Sequence, residues 1–238
     1  MNAQFGLLHV WSQGDWVTRS VFGALVLMSL ASWVVILIKA LGVVAAKRQA
    51  ARVEGFWRSA DMAEGLARLR PRQTNPFHEL ATEGREAAAH HRATRVQLHD
   101  SLDASDWISR ALQDSIDGTA ARLQSGLAIL ASVGSTAPFV GLFGTVWGIY
   151  HALMRIGAAG QASIDQVAGP IGEALIMTAL GLAVAIPAVL GYNALVRGNK
   201  HILAKLRRFA HDLHALHVTG ARVRAASAEG KVVAMKKA

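Results

Sequence analysis

Three polar side chains stand inside long apolar stretches of the sequence and could carry proton chemistry. They are Thr145, Glu173 and Thr178. A carboxylate inside a membrane-spanning segment is costly, so it usually faces a water-filled cavity or a partner, where it can exchange protons. Glu173 is therefore predicted to be a functional residue.

The two threonines leave two interpretations open. Most threonine hydroxyls in membrane helices bond back to a carbonyl of their own helix. Thr145, however, lies nine residues from the outer end of the second apolar stretch, and Thr178 lies eleven from the outer end of the third. Those positions correspond to depths of about 14 and about 16 Å, so the two would be nearly level in an antiparallel hairpin. The hydroxyls either only back-bond or form a polar ring when several copies assemble.

Glycines recur along the same two stretches. Glycine weakens a helix by about 1 kcal/mol relative to alanine, so something must offset that cost. A stripe of small residues lets helix backbones approach closely in lipid, where the hydrophobic drive is missing. A proline inside the third stretch predicts a kink. The residues predicted to form the helix packing and pore wall are Gly134, Gly141, Gly144, Gly148, Gly181 and Pro187.

Three stretches are long enough to span a bilayer, which takes roughly 20 apolar residues. The prediction is an all-α polytopic membrane protein with three transmembrane helices, two of them extended into the cytoplasm as long helices. The first span is not typical of a cleaved signal peptide, because its positive charges follow the apolar core. The predicted segments are 1–16, span 17–38, 39–126, span 127–154, 155–166, span 167–196 and 197–238.

Lysine and arginine are distributed very unevenly. Segment 39–126 holds 13 of the 25 and segment 197–238 holds 10, whereas the remaining flanks hold Arg19 and Arg155 alone. The positive-inside rule then places the N-terminus and the 155–166 loop outside, and the long segment and the tail in the cytoplasm. This topology accounts for the net charge of +9, and no nucleic-acid-binding module accompanies it.

The cytoplasmic part is predicted to be helical. Residues 41–69 have a helical pattern that the prolines of 70–76 interrupt. An apolar stripe from Leu98 to Leu127 predicts one long helix continuing into the second span, and residues 200–223 resemble a similar extension of the third.

No enzymatic site, cofactor site or metal site is predicted. The chain has no cysteine, and it lacks a phosphate-binding loop, an HExxH motif and a nucleophile elbow. His211, His214 and His217 are three residues apart, so they drift around a helix and indicate a solvated amphipathic face rather than a metal site. The pair His90 and His91 receives the same interpretation.

Two motifs carry a resemblance to a known family. "PFVGLFGTVWGI" at 138–149 and "GPIGEALIMTALGLAVAIPAVLGYN" at 169–193 closely resemble the ExbB/TolQ/MotA proton-channel family, and the resemblance extends over all three spans. It implies a subunit of the bacterial inner membrane that uses the proton motive force. It further implies a homo-oligomer, a pentamer, around transmembrane helices of an ExbD-like partner, which energises a TonB-like protein for outer-membrane uptake.

The resemblance also implies residue roles. The functional glutamate of the family falls on Glu173, and its two polar pore threonines fall on Thr145 and Thr178. Before the proline, the family often has a hydroxyl residue where this chain has Ala137 after Thr136, which leaves that role in doubt. The protonatable aspartate comes from the partner.

Alternative functions remain beside this one. A TolQ-type subunit of the Tol-Pal envelope system shares most of the motifs, although the tail sequence at 197–217 looks more like the ExbB branch. A structural membrane scaffold without a proton path of its own is the second alternative. A secondary transporter is disfavoured, because the chain shows no inverted repeat and has too few spans.

Overall fold

The computed structural model describes residues 15–69, 75–93, 104–159 and 164–220, and within these ranges the regular elements are helices only. The all-α prediction is confirmed. Three helical stretches are long and apolar enough to cross a membrane. The helices are α1 Trp16–Ala50, α2 Val53–Trp57, α3 Met62–Leu69, α4 Pro76–Ala93, α5 Ala104–Gln124, α6 Leu127–Ala159 and α7 Ile164–Thr219.

The chain divides into two compact units. One, here called the membrane unit, comprises the described residues of Met1–Ala45 and Arg122–Lys200. The other, the extramembrane unit, comprises those of Ala46–Ala121 and His201–Ala238. The helices α1 and α7 contribute residues to both, so the predicted extension of the third span beyond its apolar stretch is confirmed as one continuous helix through Pro187. A kink at Pro187 remains a prediction.

The membrane unit is built from apolar helices that bury only one face within the chain. Its core contains Val21 and Leu25 of α1, Ala137 of α6, and Met177 and Ala188 of α7. Large apolar side chains on the outward faces, such as Phe139 at 69% exposed and Leu190 at 64%, have no cover within the chain. Lipid or neighbouring subunits are the surroundings that such faces require.

The sequence predicts one long helix that continues from the apolar stripe before the second span into that span, and the structure interrupts this helix. A turn at Ser125 and Gly126 separates α5 from α6, and Gly126 has a φ of 78°, a left-handed conformation that favours glycine. The Lys39 ammonium donates to the Arg122 carbonyl at 2.9 Å and to the Ser125 hydroxyl at 2.9 Å. The Asn199 amide donates to the Leu123 carbonyl at 2.8 Å. Side chains from α1 and α7 therefore satisfy carbonyls that the broken helix leaves free.

The extramembrane unit has its own apolar core. Phe56, Phe77 and Phe209 meet there, with Phe56 and Phe77 each in ring contact with Phe209. The predicted helix over 41–69 is divided into the end of α1, α2 and α3. The predicted break before Pro76 is confirmed, and Asn75 explains how the chain crosses it.

Asn75 joins the end of one helix to the start of the next. Its amide oxygen accepts hydrogen bonds from the N–H groups of Phe77 and His78 at 3.1 and 3.4 Å, which caps α4. Its amide nitrogen donates to the Leu69 carbonyl at the end of α3, at 2.6 Å. Pro76 occupies the first helical position, where a missing N–H costs nothing.

Candidate proton-path site

The helices α6 and α7 run antiparallel with their backbones in contact along a seam of small residues. A Cβ atom added to Gly141 would lie 2.5 Å from the Met177 carbonyl oxygen and 3.0 Å from Cα of Gly181. A Cβ atom on Gly181 would lie 2.6 Å from the Ala137 carbonyl oxygen. Only glycine fits at both positions, because the atoms in the way belong to the backbone of the opposite helix.

The seam continues in both directions from this point. Toward one end, an added Cβ on Gly134 would meet the Val189 side chain at 2.5 Å, and toward the other, one on Gly148 would meet Ala174 at 2.9 Å. An added Cβ on Gly144 would meet both Met177 at 3.2 Å and Val21 of α1 at 3.0 Å. The small-residue stripe that was predicted on the second span thus faces a helix of the same chain.

Not every glycine of the third span belongs to this seam. Gly191 approaches Ile36 of α1 instead, with a 2.7 Å separation for an added Cβ. The helix α7 therefore uses glycine on two faces, one toward α6 and one toward α1.

The two threonine hydroxyls meet across the seam. Oγ1 of Thr145 lies 2.5 Å from Oγ1 of Thr178. The Thr145 hydroxyl also lies 3.0 Å from the Ala174 carbonyl oxygen on α7 and 3.2 Å from the Gly141 carbonyl oxygen on its own helix. Since a hydroxyl has one proton to donate, Thr145 donates to a carbonyl while it accepts from Thr178. Thr145 is 6% exposed, and Thr178 is half-buried.

This geometry bears on the back-bonding interpretation of the threonines. A hydroxyl that only back-bonds would contact its own helix alone. The Thr145 hydroxyl instead contacts two groups on the opposite helix. Back-bonding to Gly141 occurs as well. The polar ring between several copies stays a prediction. The equal depth that was predicted for the pair agrees with the contact.

The register of the seam fixes the level of Glu173 on its helix. Gly148 is opposite Ala174, and Thr145 is opposite Thr178. Glu173 adjoins Ala174 in the continuous helix α7, five residues from Thr178, which is a rise of about 7.5 Å. The side chain of Glu173 lies outside the described residues. The backbone therefore places the glutamate position about 7.5 Å beyond the hydroxyl pair along the helix axis, toward the α6–α7 loop.

Other residues considered in the sequence lie away from the seam. Thr136 is exposed and bonds back to the Ser132 carbonyl at 2.7 Å. His211 is exposed, but Nε2 of His214 lies 3.1 Å from the Ser105 hydroxyl, so the solvated-face interpretation fails for His214. Among the described residues no group of histidines and carboxylates could hold a metal ion.

The structure describes the side chain of His90 but not that of His91. His90 is exposed and stacks on Trp107, with ring centroids 5.9 Å apart. The side chain of His91 lies outside the described residues.

A second polar group lies near the C-terminal end of α6 and was missed in the sequence. Nε2 of His151 lies 4.0 Å from a carboxylate oxygen of Asp15, which immediately precedes α1. The signal available was a histidine and an aspartate at the ends of two different apolar stretches. Their meeting could not be predicted, because it depends on how α1 packs beside α6.

Three helices that are long and apolar enough to cross a membrane, two of them joined by a glycine seam, place the chain among integral membrane proteins. The chain belongs to the MotA/TolQ/ExbB proton channel family, whose model matches residues 80–208.

Named relatives resemble the chain over most of its length. It is 45% identical over 233 residues to the biopolymer transport protein ExbB of Xanthomonas campestris pv. campestris, covering 93% of this chain and 92% of that one. A protein of the same description from Neisseria meningitidis is 41% identical over 207 residues, covering 86% and 94%. The Tol-Pal system protein TolQ of Pseudomonas aeruginosa is 33% identical over 209 residues, covering 86% and 89%.

The seam predicts that a single methyl group will separate the two helices. Gly141→Ala should destabilise the protein by about 1–3 kcal/mol, because the added carbon meets an opposing carbonyl that cannot move alone. Thermal unfolding of the purified complex measures the effect. Gly23→Ala is the matched control, since an added Cβ there meets nothing within 4 Å. An unchanged melting temperature for Gly141→Ala would contradict the backbone contact.

Gly144→Leu extends the same test to the place where three helices meet. The larger side chain would have to displace Met177 and Val21. Normal assembly and normal activity in this variant would contradict the packing role of Gly144.

Proposed function

We propose that the chain is the proton-channel subunit of an inner-membrane complex that couples the proton motive force to TonB-dependent outer-membrane uptake. The observation that carries this proposal is the Thr145–Thr178 hydroxyl pair at the seam. The Glu173 position lies five residues from Thr178 on the same helix. A hydroxyl pair and a carboxyl group at neighbouring depths can transfer a proton through water, whereas a seam lined only by apolar groups cannot. Glu173 is assigned the proton-exchanging role, and the threonines hold water or a partner's carboxylate.

The partners follow from the surfaces of the membrane unit. Its outward apolar faces suit further copies of the chain, and the resemblance implies a pentamer around ExbD-like helices. Thr178 is less buried than Thr145, which leaves it the more accessible of the two hydroxyls to a group outside the chain. The partner helix is proposed to supply a second carboxylate there and to transmit its movement to a TonB-like protein.

Similarity favours the ExbB branch over the TolQ branch. The identity is 45% to the ExbB protein of Xanthomonas campestris pv. campestris and 41% to that of Neisseria meningitidis, compared with 33% for TolQ of Pseudomonas aeruginosa. A TolQ-type role in the Tol-Pal system is therefore the second candidate function. A structural scaffold is the third, and the Thr145 bonds across the seam are its supporting observation.

Thr178 separates a proton path from a scaffold more cleanly than Thr145 does. In Thr178→Val the Thr145 hydroxyl can still donate to the Ala174 carbonyl, so no buried donor loses its partner. The complex should assemble normally and lose uptake of a TonB-dependent ligand by about tenfold or more, equivalent to about 1.4 kcal/mol on a rate. Thr178→Ser should retain more activity than Thr178→Val, although valine is closer in shape.

Glu173→Gln in the same uptake assay tests the carboxyl group itself. Glutamine keeps the size and the hydrogen-bonding capacity but cannot exchange a proton, so uptake should be lost at normal complex abundance. If the valine and serine variants are equally active and Glu173→Gln is tolerated, the polar residues are structural and the scaffold is correct.

The proposed orientation places the N-terminus in the periplasm. A cysteine at Ser12 or Gln161 should react with a membrane-impermeant thiol reagent in intact cells, and one at Ser101 should not. The absence of native cysteine makes each label specific to its position. Labelling of Ser101→Cys without permeabilisation would overturn this orientation.

A further inference from the structure

The second polar group, at the outer end of α6, is arranged for proton exchange. Nδ1 of His151 lies 3.1 Å from the Trp147 carbonyl oxygen. A carbonyl oxygen can only accept, so Nδ1 carries a hydrogen in this arrangement. Nε2 is then the nitrogen that gains and loses a proton, and it is the nitrogen that faces the Asp15 carboxylate at 4.0 Å.

Both members of this pair are partly exposed on the single chain. The side chains of His151 and Asp15 are 34% and 35% exposed. The Trp147 ring packs against the imidazole with centroids 4.4 Å apart, and the Tyr150 ring meets it edge-on at 5.3 Å. The indole N–H of Trp147 is buried and has no hydrogen-bond partner among the described residues, so a polar group entering beside the imidazole would find a donor there.

The seam register gives the level of this pair relative to the candidate proton path. His151 lies three residues beyond Gly148, a rise of about 4.5 Å toward the α6–α7 loop. Gly148 is opposite Ala174, which adjoins Glu173. Along the seam the order from the loop end is therefore the imidazole, the Glu173 position and the threonine pair.

We infer that His151, positioned by Asp15, is a proton-collecting group at the outer mouth of the channel. Imidazole can take up and release a proton near neutral pH, and the Asp15 carboxylate faces the nitrogen that would do so. Nε2 takes a proton from outside water and releases it to water that leads to the Glu173 position, and Nδ1 keeps its hydrogen throughout. The inference rests on the proposed proton path and orientation.

The surrounding charges define what else can influence this imidazole. Arg19 is exposed one turn into α1, on the same end as Asp15. Tyr150 is the neighbouring titratable group on α6. Arg155, Asp165 and Glu173 lie near this end in the sequence, but their side chains lie outside the described residues.

The test is uptake of a TonB-dependent ligand by the full complex in cells, measured from about pH 5.5 to about pH 8.5 outside, the range that brackets imidazole titration. In the wild-type complex uptake should change with the outside pH across this range. His151→Gln should reduce uptake severalfold and flatten that pH dependence, because no imidazole remains to take up the proton. Asp15→Asn keeps the size of the side chain but removes the carboxylate that faces Nε2, so it should also reduce uptake severalfold.

Control variants separate this inference from the proposed function. His201→Gln removes an exposed histidine from the extramembrane unit and should keep the wild-type profile. If Glu173→Gln is inactive while His151→Gln and Asp15→Asn keep the wild-type profile, the proton-collecting role is wrong and the proton path stands. If Glu173→Gln is active, the proposed path itself fails. If His151→Gln does not accumulate, uptake by Asp15→Asn at normal abundance decides, and a wild-type level of uptake with the wild-type pH profile overturns the inference.

Discussion

The backbone contact between α6 and α7 at Gly141 and Gly181 is the constraint on which the rest of the membrane unit depends. In lipid the hydrophobic effect does not favour the association of two apolar helices, so close packing and hydrogen bonds must supply the attraction. The contact places carbonyl oxygens where a methyl group would otherwise stand. Because the approach is this close, the short hydroxyl side chains of Thr145 and Thr178 can reach one another. Side chains of ordinary size at the glycine positions would hold them apart.

The same contact gives one site both a structural and a chemical character. The Thr145 hydroxyl bonds across the seam and therefore stabilises the helix pair, while Thr178 retains partial exposure. A polar group that is satisfied within the chain costs little to bury, and one that remains partly open can interact with water or a partner. The seam thus separates the two threonines, which look equivalent in the sequence, into an inner and an outer member.

Much of the membrane unit was predictable because its signals are local. Apolar length defines the spans, and the spacing of Gly134, Gly141, Gly144 and Gly148 places them on one helix face whatever the tertiary structure. The level of Thr145 with Thr178 also follows, since the rise per residue is fixed. Their direct contact does not follow, because it requires the distance between two helices, which only the packed glycines determine.

The break at Ser125 and Gly126 shows the opposite situation. A single glycine in a helical pattern is usually tolerated, so the sequence favours continuity. The turn forms where Lys39 and Asn199, distant in sequence, bond the carbonyls that it frees. The His151–Asp15 pair was missed for the same reason, since it joins the start of α1 to the end of α6. Patterns within one element predict faces and levels, whereas meetings between elements depend on packing.

The central claim is that the two threonines of one chain meet across the seam. Replacing both in the same chain, Thr145→Cys with Thr178→Cys, provides the direct measurement, because no native cysteine competes. Mild oxidation of the assembled complex should form a disulfide within each chain, seen as the loss of two hydrogens from the intact mass of the monomer. The single-cysteine variants should remain monomeric thiols. Covalent dimers as the main product, or two free thiols after oxidation, would contradict the seam.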